Sequence, residues 1–149
     1  MKTLIKKSLL VIAAVGVLSM AAASDVSARS FGAALGEPVT GSDTSCFNSL
    51  SGIPVNVCGG GARLFEVQLP TDNSGSKTVS FTAASGVSCT AFATNSVNSA
   101  FVGSNTILIT SGTLSSGTLS AIPLPAGGKL WLQCNINSGG ALGTVNYNQ

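Results

Sequence analysis

Apolar and polar residues alternate along much of the chain. Residues 64–69 put Phe65, Val67 and Leu69 in one phase and Glu66 and Gln68 in the other. Residues 78–83 set Val79, Phe81 and Ala83 against Thr78, Ser80 and Thr82. Residues 87–93 align Val87, Cys89, Ala91 and Ala93, and residues 106–110 align Ile107 with Ile109. Residues 130–136 set Leu130, Leu132, Cys134 and Ile136 against Trp131, Gln133 and Asn135, and residues 144–147 hold Val145 and Tyr147 in phase. Neighbouring side chains of a strand point to opposite faces, so a period of two predicts half-buried strands. Shorter candidates lie at 53–57, 101–102 and 121–124. Turn-forming clusters separate them: Gly59-Gly60-Gly61, Asp72-Asn73-Ser74-Gly75, Ser85-Gly86, Pro125-Ala126-Gly127-Gly128 and Ser138-Gly139-Gly140. Beyond the first thirty residues no long window keeps a helical stripe. The pattern predicts an all-β chain, a single antiparallel β-sandwich of about seven to nine short strands.

One repeat interrupts the alternation. Ser111-Gly112-Thr113-Leu114-Ser115 is followed at once by Ser116-Gly117-Thr118-Leu119-Ser120. Two copies of five residues do not make a solenoid, which needs several stacked units. The expected role is a connection or hairpin between two strands.

The start of the chain has a different pattern. Lys2, Lys6 and Lys7 precede an uncharged apolar run at 9–18, followed by small residues. Ala21 and Ala23 fit a peptidase site before Ser24, and Val26-Ser27-Ala28 offers a second before Arg29. The run falls short of the roughly 20 residues that span a bilayer, so it reads as an export signal rather than an anchor. The expected organisation is a signal peptide over 1–23, with cleavage after 28 as the alternative. An N-terminal extension or first strand covers 24–45, and the sandwich covers 46–149. The expected location is secreted or periplasmic, with no membrane span after signal removal.

Signal removal changes the charge. Arg29, Arg63, Lys77 and Lys129 then face Asp25, Glu37, Asp43, Glu66 and Asp72, which leaves the mature chain near neutral. Nucleic-acid binding needs clustered Lys and Arg, so that class is set aside. Polarity comes instead from Ser, Thr, Asn and Gly, which suit pleated surfaces and turns outside the cell.

Four cysteines in an exported chain imply disulfides, and they allow three pairings. Cys46 and Cys58 close a short loop, while Cys89 and Cys134 share the apolar phase of predicted core strands. The expected bridges are Cys46–Cys58 and Cys89–Cys134. A zinc site would need all four thiolates at irregular spacings with no histidine, so no metal and no cofactor are expected.

Catalytic chemistry finds little support. The chain has no histidine, which excludes Ser-His-Asp and Cys-His arrangements. A Ser-Lys pair would need Lys77 or Lys129, and both read as solvated strand-edge charges beside turns. Glycoside hydrolysis needs two carboxylates facing one bond. Among Glu37, Asp43, Glu66 and Asp72, Glu66 reads as surface charge on a polar strand phase and Asp72 as a turn residue. Residues 72–76 lack the terminal acid of a calcium loop, and Gly59-Gly60-Gly61 lacks the lysine of a phosphate loop. Trp131, on the polar phase of its strand, is the candidate ligand contact, since an exposed indole can stack on a sugar ring or a partner. Tyr147 reads as a residue of the last strand.

Val57-Cys58, Val87-Ser88-Cys89-Thr90, Leu130-Trp131-Leu132-Gln133-Cys134 and the closing segment from Gly143 to Tyr147 carry a loose resemblance over residues 46–149. In these the chain is similar to small secreted bacterial proteins with strand-borne cysteines. That resemblance implies a disulfide-bonded β-sandwich and assigns no activity. Asn135-Ile136-Asn137 departs from it, standing where a proline is often found. A weaker likeness to pilus subunits rests on composition and the late tyrosine. Tyr147 is third from last here, and the Cys46–Cys58 spacing differs from theirs. The expected function is a non-enzymatic extracellular β-sandwich with a structural or surface-interaction role. The alternatives are a small carbohydrate-binding module and a pilus or adhesin-like subunit. The expected partners are a cell-surface component, a glycan or a second copy.

Overall fold

The computed structural model of the chain describes residues 28–98 and 100–149. The export signal expected at 1–23 lies outside them, as does nearly all of the alternative ending at 28. The described residues form eleven strands and two short 3-10 turns: β1 (Ala28–Gly32), β2 (Glu37–Pro38), β3 (Phe47–Leu50), β4 (Ile53–Asn56), β5 (Arg63–Leu69), β6 (Gly75–Ala83), β7 (Ser88–Thr94), β8 (Phe101–Leu108), β9 (Ser115–Leu124), β10 (Lys129–Ile136) and β11 (Leu142–Asn148). Nine of the strands build two antiparallel sheets, in the orders β1-β11-β6-β9 and β2-β5-β10-β7-β8, and β3-β4 is a separate hairpin. The described part of 24–45 supplies an edge strand to each sheet. No helix among the described residues is long and apolar enough to cross a membrane.

The core is the meeting of the two apolar phases. Phe65, Val67 and Leu69 of β5, Leu130, Leu132 and Ile136 of β10, and Ala91 and Ala93 of β7 face the other sheet's Val79, Phe81, Leu119, Ile122, Leu142 and Val145, all buried. Each fully buried large side chain stabilises the fold by about 1.5–3 kcal/mol. Cys89 and Cys134 are direct cross-strand partners on β7 and β10, joined by a disulfide with Cα atoms 4.0 Å apart. The second disulfide, Cys46–Cys58, clasps the β3-β4 hairpin at its open end. Asn56, fully buried, fastens that hairpin to the sandwich: its side-chain amide donates to the Ile136 carbonyl at 2.8 Å.

Three bulges adjust the phases. On β11 the partners of Leu142 and Val145 are Ala83 and Phe81, so β11 carries one extra residue there. On β9 the partners of Lys77 and Val79 are Ile122 and Leu119, so β9 carries one extra residue there. Ala121, at φ +60°, lies in the extra stretch, and the bulge lets Leu119, Ile122 and Leu124 all face the core. On β8 the partners of Ala93 and Thr94 are Gly103 and Phe101, so Val102 is passed over. A bulge re-aims the side chains beyond it, and this one brings Phe101 opposite Thr94 on the outer face.

Three expectations need correction. Residues 101–102 and 106–108, expected in separate strands, belong to one strand, and Ile109 and Thr110 lie beyond its end at Leu108. The second copy of the repeat is not a connection: it opens β9, and only the first copy links strands. Lys77 is not a solvated edge charge, for it is 1% exposed. It shares the inward phase of Val79 and Phe81, and the aliphatic stem of a lysine packs as an apolar side chain. Burial lowers its pKa, and Asp72 acts in the opposite direction.

Candidate functional site

The site is assembled on the outer face of the five-stranded sheet, where register decides which side chains meet. Trp131 on β10 stands opposite Phe92 on β7 and Gln68 on β5. One pair further on, Gln133 stands opposite Thr90 and Glu66, and Glu66 opposite Glu37 of β2. Side chains directly opposed on neighbouring strands share a face and touch. The result is an aromatic row beside a polar row.

The aromatic row is a continuous shelf. The rings of Phe92 and Trp131 lie 15° from parallel with centroids 6.5 Å apart. Phe101 meets Phe92 edge-on at 4.9 Å. Phe92 is 7% exposed and forms the floor, whereas Phe101 is 74% exposed and stands up as a wall. A cleft of about 240 Å³ opens over them, closed at one end by Glu66 and Gln133 and at the other by Thr94, Asn98 and Ala100. Asn98 is held in the left-handed region at φ +57° by a tight turn in which its N–H donates to the Asn95 carbonyl, a conformation that asparagine tolerates well.

The polar groups of the cleft are under-used by the protein. The Trp131 indole N–H and the Thr94 hydroxyl are both shielded from solvent and have no hydrogen-bond partner. Thr94 as a residue is only 6% exposed. Buried polar atoms are paired in the great majority of cases; two of the unpaired ones, Trp131 Nε1 and Thr94 Oγ1, belong to residues lining this cleft, and Arg63 Nε and Asn137 Oδ1 are likewise without a hydrogen bond elsewhere in the fold. Gln133 Nε2 donates to Glu66 Oε2 at 3.1 Å. Burial raises the Glu66 pKa above its ordinary value, Glu37 opposite adds to the rise, and the Gln133 hydrogen bond opposes it.

Of the candidates read from sequence, Trp131 and Glu66 come together here. Glu66 is not a plain surface charge but a half-buried cleft wall. Asp72 is an exposed turn residue whose Oδ2 pairs with Arg29 Nη2 at 2.6 Å, Asp43 faces Arg63, and Tyr147 is a buried residue of β11 whose hydroxyl donates to the Pro70 carbonyl. Phe92, Phe101, Thr94 and Gln133 were not singled out from sequence. Phe92 carried a usable signal, since a large aromatic sits on the polar phase of its strand just as Trp131 does. Among the described residues no group of three or more His, Cys, Asp or Glu side chains is placed to hold a metal.

A second depression, about 420 Å³, lies between the β3-β4 hairpin and the residues around Leu114 and is lined by Leu50, Ile53, Val55 and Ala141. It is apolar and lacks charged side chains.

No family model and no curated protein matches the chain. Similar solved structures include a low-affinity xylan-binding module from Roseburia intestinalis, at 14% identity and a TM-score of 0.48, covering 83% of this chain and 95% of that one. Another is the C-terminal carbohydrate-binding module of a laminarinase from Zobellia galactanivorans, at 11% identity and a TM-score of 0.46, covering 83% of this chain and all of that one. A third is a carbohydrate-binding module in complex with β-1,4-galactotriose, at 16% identity and a TM-score of 0.43, covering 82% and 88%. The likeness is one of general β-sandwich architecture.

Proposed function

We propose that the chain is an exported, non-enzymatic β-sandwich module that binds glycans on the outer face of its five-stranded sheet. The observation that carries this reading is the Phe92–Trp131 shelf, with orphaned polar atoms of Trp131 and Thr94 at its border. Sugars have the matching chemistry. Their C–H faces pack on aromatic rings, and their hydroxyls both donate to and accept from side chains at the ring edge. An indole N–H that lacks an acceptor and a hydroxyl that lacks any partner suit such a ligand better than an apolar one.

Catalysis is a poorer fit to the same geometry. Glu66 is the one carboxylate lining the cleft among the described residues, whereas glycoside hydrolysis takes a pair flanking the bond. Assembly by strand donation is a poorer fit as well, because β11 is already flanked on both edges by the chain's own β1 and β6. The two disulfides suit an oxidising compartment outside the cytoplasm.

The test is a glycan array probed with the mature protein and with Trp131→Ala. Binding to a defined set of oligosaccharides that the variant loses supports the reading. Absence of binding to any glycan, or equal binding by the variant, refutes it.

A further inference from the structure

We infer that the glycan recognised by this cleft carries a protonated amino sugar, its ammonium group seated against the Glu66 carboxylate. The inference rests on the glycan-binding reading above and narrows it to a chemical class.

Among the described residues there are four cationic side chains. Arg29 pairs with Asp72 at 2.6 Å, and Arg63 faces Asp43 at 3.5 Å. Lys77 lies in the interior at 1% exposure. Lys129 shares the outer face but stands opposite Thr94, at the far end of the cleft from Glu66. It is four residues along β10 from Gln133, about 13 Å in an extended strand and beyond the roughly 8 Å over which exposed charges interact at physiological salt. Glu66 therefore has no basic partner among the described residues.

Its surroundings make that lack acute. Glu37 stands directly opposite Glu66 on the neighbouring strand, so two like charges meet across one strand pair, an unfavourable juxtaposition. Gln133 contributes a single hydrogen bond to Oε2. A neutral hydroxyl would add a hydrogen bond and leave both charges in place, whereas an ammonium group offsets them. The neighbouring rings point to the same ligand, because the faces of Trp131 and Phe92 carry negative quadrupole and attract cations. Independently of the acids, the nine-tenths buried Thr94 hydroxyl without a partner marks the other end of the cleft as a place for a sugar hydroxyl. A sugar laid on the shelf thus has a hydroxyl end and a cationic end.

The experiment is calorimetric titration of the full mature chain at about pH 6 and about pH 7, both above the ordinary carboxylate range, since burial shifts Glu66 upward. The probes are oligosaccharide pairs that differ only in a free versus an N-acetylated amine, in both gluco and galacto series, with the neutral hexose oligomers alongside. The free-amine member is expected to bind about tenfold tighter than its acetylated and neutral counterparts, and the preference is expected to shrink as salt is added. Glu66→Gln keeps the shape and the Gln133 contact and is expected to erase the preference for the free amine. Glu37→Gln, at an exposed position, is expected to reduce it. Equal binding of the paired sugars, or a preference that survives Glu66→Gln, overturns the amino-sugar inference and leaves the glycan reading intact. Loss of every glycan in Trp131→Ala with the preference intact in the wild type supports both. Absence of binding to all probes overturns both.

Discussion

Trp131 and Phe92 occupy opposite positions on β10 and β7, and three residues further along the same ladder Cys134 faces Cys89 on the other side of the sheet. The aromatic shelf thus rides on the strand pair that the core disulfide joins. The two rings have different tasks. Phe92 is floor, 7% exposed beneath its neighbours, and Trp131 is half-buried at the cleft. Phe92→Ala is expected to cost about 3–5 kcal/mol of stability, the range for truncating a buried aromatic. Trp131→Ala is expected to cost only about 1–2 kcal/mol while abolishing glycan binding, and Trp131→Phe to retain part of the binding. Denaturant unfolding paired with titration checks this. Comparable stability losses at the two positions would show that Trp131 is packing and not contact surface.

The Glu66 carboxyl makes stability depend on pH in a defined direction. Its folded-state pKa lies above the ordinary 4.5, chiefly because it is desolvated. The folded protein therefore holds this proton more tightly than the unfolded chain does, and unfolding releases it. The stability that this contributes is fully present below pH 4.5 and is lost as pH rises through the folded-state value. Glu66→Gln removes the dependence. Unfolding midpoints of the wild type and Glu66→Gln across this window are expected to diverge as pH rises, with the variant the more stable above it. Parallel curves would mean that Glu66 is as well solvated folded as unfolded. Binding of a cationic ligand follows the opposite trend, strengthening as Glu66 ionises.

The two disulfides differ in what they hold. Cys46–Cys58 closes a 12-residue separation at the edge of the fold, and Cys89–Cys134 closes a 45-residue separation inside the core. Loop-closure entropy gives about 3 kcal/mol for the first and about 4 kcal/mol for the second. Removing the second also takes two sulfur atoms out of fully buried positions. The double variant Cys89→Ala/Cys134→Ala is therefore expected to lose more stability than Cys46→Ala/Cys58→Ala, and its loss is a large share of the 5–15 kcal/mol typical of a domain. Non-reducing peptide mapping with thermal unfolding of both variants tests the ranking.

The strands β5, β6, β7 and β10, and the 144–147 part of β11, could be read from sequence because each carries a two-residue period with its apolar phase in the core. The bulges could not. Nothing in the composition around Val102 or Ala121 marks an extra residue, and Ala121 adopts a left-handed backbone that alanine seldom takes. Phe101 therefore gave no hint of which face it would join. Glu66 was legible as outward-facing and illegible as half-buried, since its wall comes from β2, two residues long and remote in sequence. Lys77 misleads for another reason: its charge outweighs its phase on paper, whereas in the fold the phase it shares with Val79 and Phe81 decides.

Gly36 connects the site to the fold. A Cβ at this position would run into the Glu66 backbone carbonyl and come within 2.6 Å of the Phe65 ring and 2.7 Å of Val67. Glycine is required here by proximity and not by backbone conformation, since its φ of −84° suits any residue. The close approach lets β2 lie on β5 and sets Glu37 opposite Glu66. Gly36→Ala must push against a backbone atom and two core side chains, none of which can move away cheaply, so a loss of about 1–3 kcal/mol is expected. The displaced β2 carries Glu37 away from Glu66, which lowers the Glu66 pKa toward 4.5 and weakens the preference for a cationic sugar. Gly32→Ala, where an added Cβ meets nothing within 4 Å, serves as the control. Carboxyl titration by NMR alongside unfolding would expose the coupling. A destabilised Gly36→Ala protein with an unchanged Glu66 titration would show that β2 sets the edge of the sheet but not the electrostatics of the cleft.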